Sequence, residues 1–359
     1  MENSFRISND IASAETLTSN FYTDDDVFES SKETIFARSW QLITHTKNLK
    51  KHNQFPFTFL DGFMNEPLVL TQQNDEINCF SNVCTHRAHL VCLESCDSSI
   101  LRCRYHGRTF ELDGTMKAMP GFENVKNFPS EKDNLDSIST LIWKDFIFVS
   151  LNNKVDINSV LADADHRLQG YEFDKLVFDK TQSTEYIIDS HWALYCENYL
   201  EEFHIPFVHK GLTKDIILDE YQTILLENGV LQMAICSDGE DAISLSDSAP
   251  DSDKKMYAYY YWIFPNLMLN FYAWGLSINI IEPLGKSKTR IKYLTYTLPH
   301  KKQPNTDGTD VGTIEMEDQA VVQSVHQGIN SRYYETGRYS AKYETGVHHF
   351  HKLINSIFN

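Results

Sequence analysis

The chain has 359 residues and a formal net charge of −18, and its composition is 42% hydrophobic and 23% charged. Such a length can hold two domains with separate cores, and the composition is ordinary for a globular protein. The acidic balance leaves no basic surplus to neutralise nucleic-acid phosphates or to bind anionic lipid. We therefore expect neither nucleic acid nor a membrane among the partners of this chain.

The first twenty residues are polar and lack the basic start and apolar core of a secretory signal peptide, so they predict an irregular arm. The seven cysteines are an odd number in a chain of this size, which is not typical of a disulfide framework. Both observations favour a cytoplasmic location.

A helix is predicted directly after the arm. Thr23 is a suitable N-cap, and the acidic run Asp24-Asp25-Asp26 would lie at the positive end of the helix dipole. Apolar residues then recur with helical spacing to about Ser39. From about 40 to 150, short β-like runs alternate with turns rich in Gly, Asn, Asp and Pro, which predicts a small all-β domain.

The second half of the chain predicts helices mixed with antiparallel strands. Residues 151–180 indicate a helical and loop connection, and residues 185–188 and 192–195 are strand-like. Antiparallel strands are predicted over 221–298, and a helix over 313–326.

The stretch 257–281 is uncharged and long enough for a membrane helix. It is, however, rich in aromatic residues and interrupted by Pro265, Gly275 and several asparagines. These features predict two strands joined by a turn at Pro265-Asn266 instead.

Two short motifs, Cys84-x-His86 and Cys103-x-x-His106, each offer one thiolate and one imidazole to a metal. The sixteen residues between them are enough for two hairpin loops to meet tip to tip. Two Cys on one iron and two His on the other form the ligand set of a Rieske [2Fe–2S] centre. A Cys₂His₂ zinc site is the alternative, although zinc fingers usually place their two Cys close together.

A second metal site is predicted around Glu201, His204 and His209. The two histidines are five apart, or roughly 140° around an ideal helix, so they reach one metal only if the helix is interrupted. Pro206 lies between them and removes a backbone donor, which gives the interruption a cause. Two imidazoles need a carboxylate to complete a two-His, one-carboxylate iron(II) site with open positions.

Asp318 is the candidate carboxylate. On the predicted helix it falls on an apolar stripe, and a buried carboxylate must be paired or metal-bound. Pairing with a buried Arg or Lys is the alternative. Glu315 is expected to be solvated, and Glu317 is a weaker competitor at the edge of the stripe. The stripe consists of Ile314, Asp318, Val321 and Val325.

Together these two groups of residues resemble the catalytic α subunit of a Rieske non-haem iron oxygenase. The similarity covers nearly the whole chain: a cluster domain, then Glu-Asn-x-x-Glu-x-x-His-x-x-x-x-His, then a late Glu-Asp before a Gln-Gly-containing helix end. It is strongest to the branch that acts on choline, carnitine and glycine betaine. The resemblance implies that Cys84, His86, Cys103 and His106 hold the cluster and that His204, His209 and Asp318 hold the iron.

The resemblance also implies an α+β fold. A small all-β Rieske domain (41–150) would precede a catalytic domain (151–359) whose antiparallel sheet is flanked by helices in a helix-grip, START/Bet v1-like arrangement. Residues 1–40 would form an arm and helix packed on the catalytic domain. We expect a homotrimer or a multiple of it, in which the cluster of one subunit faces the iron of its neighbour.

An acidic residue bridges a cluster histidine to an iron histidine between such subunits. By position this residue is Glu201, although most relatives have Asp there. Glu197, one helical turn earlier, is a competing bridge. Asn198 matches an Asn near the iron in relatives, and a hydrogen bond within the helix is its other interpretation.

The implied reaction uses O₂ and electrons from NAD(P)H, delivered by a separate reductase or ferredoxin. Basic residues around the second cluster motif could dock an acidic donor, or they could be an ordinary solvated face. These residues are Arg102, Arg104, Arg108 and Lys117.

The expected reaction is hydroxylation or N-demethylation of a small quaternary ammonium compound such as choline, betaine or carnitine. Aromatic faces bind trimethylammonium groups, and residues 257–274 are rich in Tyr, Phe and Trp, although each ring could equally fill a core. An aromatic acid hydroxylated on its ring is the alternative substrate. A Rieske electron-transfer protein and a zinc-stabilised binding protein are the non-enzyme alternatives.

Overall fold

The computed structural model describes residues 5–209, 215–237, 241–301 and 311–358. The chain forms two compact units: Ala37–Lys154 is one, and Met1–Phe36 together with Val155–Asn359 is the other. Within the described ranges, every helix is too short or too polar to cross a membrane.

The helices are α1 (Asn20–Thr23), α2 (Asp25–Ser31, continued by a π-helical turn at Lys32–Phe36), α3 (Thr46–Leu49), α4 (Asn158–Arg167), α5 (Trp192–Tyr199), α6 (Ile205–Val208), α7 (Val311–Ile329) and α8 (Thr345–Phe358). The first strands are β1 (Gln41–His45), β2 (Gln54–Phe59), β3 (Glu66–Gln73), β4 (Glu76–Ser81), β5 (Leu101–Arg102), β6 (Thr109–Phe110), β7 (Met116–Ala118), β8 (Ser137–Trp143) and β9 (Phe146–Ser150). The later strands are β10 (Val177–Ile188), β11 (Gln222–Leu226), β12 (Gly229–Ile235), β13 (Met256–Ile263), β14 (Leu267–Tyr272), β15 (Gly275–Gly285) and β16 (Lys288–Thr297).

The unit Ala37–Lys154 contains two antiparallel sheets. Six strands pair in the order β1-β9-β8-β4-β3-β2, and β5, β6 and β7 form a separate three-stranded sheet. The three-stranded sheet carries the second cluster motif in the turn between β5 and β6. Cys84 and Cys103 belong to one buried cluster with apolar residues such as Phe80 and Phe110. The prediction of a small all-β domain is confirmed.

The other unit is built on a seven-stranded antiparallel sheet in the order β10-β16-β15-β14-β13-β12-β11. The uncharged stretch is confirmed as strands β13 to β15, with a turn at Pro265-Asn266. Because side chains alternate between the two faces of a strand, one row of directly paired residues crosses a single face of this sheet. This row is Gln232, Tyr260, Asn270, Ser277 and Thr295.

Helix α5 packs on β15 and also contacts α7 and α8. Residues Trp192–Tyr195, predicted as strand-like, are the first turn of α5, so that prediction is wrong. A short apolar run does not distinguish a buried helix from a strand. The backbone N–H of Ala193 donates to Nδ1 of His191, which caps the helix. Gly346 of α8 has no side chain to collide with the Leu200 carbonyl, from which a Cβ would lie 2.3 Å away.

The α+β prediction, with helices flanking an antiparallel sheet, is confirmed. The prediction for the face of α7 is wrong in part. Val325 is exposed, whereas Glu315, Val322, His326 and Ile329 are buried. The buried face is therefore rotated from the apolar stripe, and it includes two polar residues that the apolar pattern could not identify.

Candidate active site

The two cluster motifs form loops with the same backbone pattern. In the first loop, Ala88 N–H donates to the Cys84 carbonyl (3.0 Å) and Cys84 N–H donates to the His89 backbone carbonyl (2.9 Å). In the second loop, Gly107 N–H donates to the Cys103 carbonyl (3.1 Å) and Cys103 N–H donates to the Arg108 backbone carbonyl (2.9 Å). Each loop therefore closes on its Cys in the same way, while the His stands two residues after Cys84 and three residues after Cys103.

The four predicted cluster residues lie together. Both thiols are buried, and the imidazoles of His86 and His106 lie against each other with ring centroids 4.8 Å apart. Burial and, after it, the adjoining Cys103 thiol raise the pKa of the Cys84 thiol. A buried thiol pair beside an imidazole pair fits a [2Fe–2S] group with one iron on each pair.

Arg108 connects the two loops and does not lie on a solvated face. Its side chain is 2% exposed, and Nη1 donates to Oγ1 of Thr85 (2.7 Å). Its other terminal nitrogen lies 3.3 Å from Oδ1 of Asp133. The guanidinium also lies over the rings of Phe122 and Phe128. The expectation that Arg108 could help to dock an electron donor is therefore wrong, whereas Arg104 is exposed.

The candidate iron site is built where α5 ends. The helix stops at Tyr199, residues 202–204 form a turn, and His204 and His209 flank the short helix α6. The interruption predicted between the two histidines thus begins before His204. Pro206 lies in the first turn of α6, where its missing N–H is not needed.

The three predicted iron residues converge. One ligand atom from each of His204, His209 and Asp318 lies within 4.8 Å of the others. Nε2 of His209 is 3.0 Å and Nε2 of His204 is 3.6 Å from Oδ1 of Asp318. Nδ2 of Asn198 donates to the same oxygen at 2.7 Å, so the Asn198 side chain contacts the site, as the resemblance implied.

Each histidine has a second carboxylate on its other ring nitrogen. Glu201 lies 2.5 Å from Nδ1 of His204 and also accepts the His204 backbone N–H at 3.0 Å. Glu317 lies 2.7 Å from Nδ1 of His209. Such contacts fix the orientation of a ligating imidazole, with both Nε2 atoms directed to one point. Two imidazoles and one carboxylate arranged in this way fit a mononuclear iron(II).

The electrostatics of the site favour a cation. Burial lowers the pKa of His209, but the hydrogen bonds and charges of Asp318 and Glu317 outweigh burial and raise it. The same negative field that holds a proton on the free imidazole would stabilise a metal ion in its place.

Glu197 does not compete with Glu201 for His204. Its Oε1 accepts a hydrogen bond from the Tyr22 hydroxyl at 2.7 Å and lies 3.2 Å from Nε2 of His351. His348 and His351 of α8 are buried. Nε2 of His349 lies 2.7 Å from the Leu226 carbonyl.

A cavity of about 380 Å³ adjoins the three converging residues. Its floor is the row of paired sheet residues from Gln232 to Thr295. Four of the aromatic residues in 257–274 line it, and others, such as Tyr259 and Tyr261, lie in the core. The aromatic lining includes Tyr199, Tyr221, Tyr257, Tyr260, Tyr272 and Trp274.

Glu315 also lines the cavity and is only 9% exposed, so the prediction that it is solvated is wrong. Apolar periodicity assigned it to the wrong face. Its spacing from Asp318 could have identified it, because residues three apart share a helix face. Tyr199 and Tyr221 were missed because they lie outside the aromatic-rich stretch.

Comparison with protein families supports both parts of this arrangement. Residues 39–129 match the Rieske [2Fe-2S] domain, and residues 173–359 match the ring hydroxylating alpha subunit (catalytic domain). Choline monooxygenase from Beta vulgaris is 28% identical over 349 residues, covering 94% of this chain and 75% of the relative. The carnitine monooxygenase oxygenase subunit of Escherichia coli (strain K12) is 28% identical over 360 residues, covering 96% and 94%.

Solved structures share the fold. A quaternary ammonium Rieske monooxygenase aligns with a TM-score of 0.79 at 22% identity, over 99% of this chain and 100% of that chain. Naphthalene 1,2-dioxygenase from Rhodococcus sp. aligns with a TM-score of 0.74 at 15% identity, over 96% and 94%. Because the catalytic-domain match covers more than half of the chain, the chain belongs to the ring-hydroxylating alpha-subunit family and is a Rieske non-haem iron oxygenase with a [2Fe–2S] cluster and a mononuclear iron.

Proposed function

We propose that this oxygenase hydroxylates or N-demethylates a small quaternary ammonium compound. The observation that carries the proposal is the aromatic-lined cavity next to His204, His209 and Asp318. Aromatic faces attract quaternary ammonium groups through the ring quadrupole. The relatives named as choline and carnitine monooxygenases support this substrate class, as does a related structure in complex with L-carnitine.

Each cofactor has a proposed set of ligands. Cys84, His86, Cys103 and His106 would hold the [2Fe–2S] cluster, and His204, His209 and Asp318 would hold the iron. Once bound, these groups supply electron transfer and oxygen activation, which protein side chains cannot perform.

The surrounding residues of this chain orient the ligands. Glu201 and Glu317 accept hydrogen bonds from Nδ1 of the two histidines, which leaves each Nε2 lone pair directed at the metal position. Asn198 donates to Asp318 and so fixes the carboxylate oxygen nearest both imidazoles. The aromatic walls would exclude water from the bound substrate.

The electrons would come from NAD(P)H through a separate reductase or ferredoxin. We propose a homotrimer, or a multiple of it, in which Glu201 links His204 to His106 of a neighbouring subunit. The contact of Glu201 with His204 supports one half of this bridge. A related structure is described in connection with inter-subunit electron transfer, which is consistent with the same arrangement.

A single-turnover reaction tests the proposal. Iron-loaded protein would be chemically reduced and exposed to O₂ with a mixture of choline, glycine betaine, carnitine and several aromatic acids, and the products identified by mass spectrometry. We expect an aldehyde, a hydroxylated product or a demethylated amine from a quaternary compound. A product oxygenated on an aromatic ring, with the quaternary compounds unchanged, would contradict the proposed substrate class and favour the aromatic-acid alternative.

A further inference from the structure

Glu315 is a buried carboxylate in the wall of the substrate cavity. It lies on α7, one helical turn before Asp318, so the two side chains share a face with their Cβ atoms about 5–6 Å apart. We infer that Glu315 is the counter-ion of the substrate ammonium group and thereby determines the preference for a cation. This inference rests on the proposed function.

Two further carboxylates in the cavity wall contact the candidate iron site. Glu201 contacts His204 through both of its oxygens, and Asp318 contacts His209 and Asn198. With Glu315, the cavity wall carries three carboxylates, and the described residues that line it include no lysine or arginine. A cation entering this cavity would therefore be stabilised by the field of its walls.

Aromatic faces lie in the same wall. The rings of Tyr272 and Trp274 are stacked, with centroids 5.0 Å apart and planes 10° apart, and both residues line the cavity. Burial raises the pKa of the Tyr272 hydroxyl, and the negative charge of Glu315 raises it further. The field of Glu315 thus reaches the aromatic wall, and an ammonium group could contact a ring face and the carboxylate together.

This arrangement also orients the substrate. If the ammonium group is held at Glu315, the carbon atoms bonded to its nitrogen stay within the cavity that His204, His209 and Asp318 also line. Those are the atoms attacked when a methyl group is removed from nitrogen. Glu315 acts in this scheme on substrate affinity and position, and it takes no part in the ligation of iron.

The test compares choline with 3,3-dimethylbutan-1-ol, an uncharged analogue in which carbon replaces nitrogen. Binding of each to the oxidised holoenzyme would be measured by isothermal titration calorimetry for the wild type and for Glu315→Gln. Removing one buried charge should weaken choline binding roughly 30-fold, since buried charge pairs are costly to break. The affinity for the neutral alcohol should change by less than about 2-fold, because it has no charge for Glu315 to stabilise.

Two further variants complete the design. Glu315→Asp keeps the charge and should retain most of the preference for choline, which also tests the inference if the Gln variant does not fold. Glu185→Gln is the matched control. Glu185 is half exposed on β10, and its neighbours Thr184 and Tyr186 line the cavity. Because side chains alternate between the two faces of a strand, Glu185 lies on the face away from the cavity. This variant should bind both ligands as the wild type does.

The outcomes separate this inference from the proposed function. If Glu315→Gln weakens the binding of choline and of the neutral alcohol equally, or weakens neither, the carboxylate has a structural role. The inference is then wrong, while the proposed substrate class stands. If the wild type binds neither choline nor tetramethylammonium, both the proposed function and the role of Glu315 are overturned.

Discussion

The side chains around Asp318 form a compact hydrogen-bonded group in which each histidine has one nitrogen held and one directed inward. Glu201 and Glu317 hold the outer nitrogens of His204 and His209. Asn198 holds Asp318. These contacts fix the orientation of the imidazoles and the carboxylate that a metal would require.

Replacement of Asp318 by Ala removes the only carboxylate in the proposed ligand set. We expect turnover to fall to background and iron content to drop by about one atom per chain, with the visible spectrum of the cluster unchanged. Iron analysis and product formation measure these effects. Asp165→Ala, on the exposed face of α4, is the control and should behave as the wild type. Turnover that survives in Asp318→Ala would show that the ligand assignment is wrong.

Glu201→Gln keeps a side chain of the same size but removes the negative charge of the carboxylate that contacts Nδ1 of His204. We expect both metals to bind and the rate of cluster re-oxidation by O₂ in the presence of substrate to fall about 10- to 100-fold. Stopped-flow absorbance follows this rate. Glu197→Gln is matched in chemistry, and since Glu197 contacts Tyr22 and His351 its variant should retain the wild-type rate. The reverse result would place the bridge one helical turn earlier.

At the scale of secondary-structure elements, the two cluster loops depend on one buried cation. Arg108 contacts Thr85 in the first loop and Asp133 beyond the second, and it is almost completely buried. A buried guanidinium that loses its partners, or a partner that loses the guanidinium, leaves an uncompensated charge or polar group. Arg108 therefore holds the two loops and the segment around Asp133 together as one structural unit.

Arg108→Gln should destabilise this unit by about 3 kcal/mol, because it breaks a buried ion pair. We expect reduced cluster content after purification and a lower thermal midpoint for loss of the cluster absorbance. Arg104→Gln removes an exposed arginine from the same loop, whose side chain is 66% exposed, and should change neither quantity. Equal effects of the two substitutions would contradict the structural role of Arg108.

His191, the N-cap of α5, makes the free energy of unfolding depend on pH. Burial lowers the pKa of His191 to about 3, from an ordinary value of 6.5. In the unfolded chain this histidine binds a proton below pH 6.5, whereas in the folded chain it does so only near pH 3. The free energy of unfolding therefore falls as the pH falls through this window, by up to about 1.4 kcal/mol per pH unit.

His191→Asn can still cap α5 but does not titrate. We expect the variant to be less stable than the wild type at neutral pH, because ring packing against Phe21 and Trp192 is lost, but to lose stability more slowly on acidification. Urea unfolding followed by circular dichroism between about pH 6.5 and about pH 4.5 measures both slopes. Parallel pH profiles would show that His191 does not carry the effect.

At the scale of the whole molecule, the proposed reaction requires a cluster and an iron site to cooperate. Cys103→Ser removes a proposed cluster ligand, and Asp318→Ala removes a proposed iron ligand, so each chain alone should be inactive. If electrons pass between neighbouring subunits of a ring, mixed trimers should recover roughly a third of the wild-type activity per chain. A ring of three that contains both chains has one intact iron site facing an intact cluster, whichever chain is present twice.

Two affinity tags allow purification of the mixed oligomers, and single-turnover product formation measures their activity. Oligomers of each variant alone are the controls. Failure of the mixed oligomers to regain activity, with both chains shown to be present, would indicate that electrons do not pass between subunits, and the trimeric arrangement proposed for Glu201 would then be wrong.

The sequence alone was sufficient where ligand chemistry is encoded by spacing. Cys84-x-His86 and Cys103-x-x-His106 predicted two loops whose thiols are buried and whose imidazoles lie against each other, and the resemblance over the whole chain identified the family and its fold. It was insufficient where a side chain's surroundings come from distant segments. Arg108 was expected to be exposed, either to dock an electron donor or on a solvated face. The residues that bury it, Phe122, Phe128 and Asp133, follow it by more than ten positions.

What the sequence determined by itself is the set of chemical groups, because a metal-binding motif depends on residue type and short-range spacing. Tertiary structure alone decided that Glu315 joins Asp318 in the cavity wall, because that depends on the rotation of α7 against α5. Apolar periodicity predicted a solvated Glu315, yet packing buries Glu315 in the cavity wall and exposes Val325. A helix that lines a binding site must turn polar residues inward, so its hydrophobic pattern does not locate its buried face.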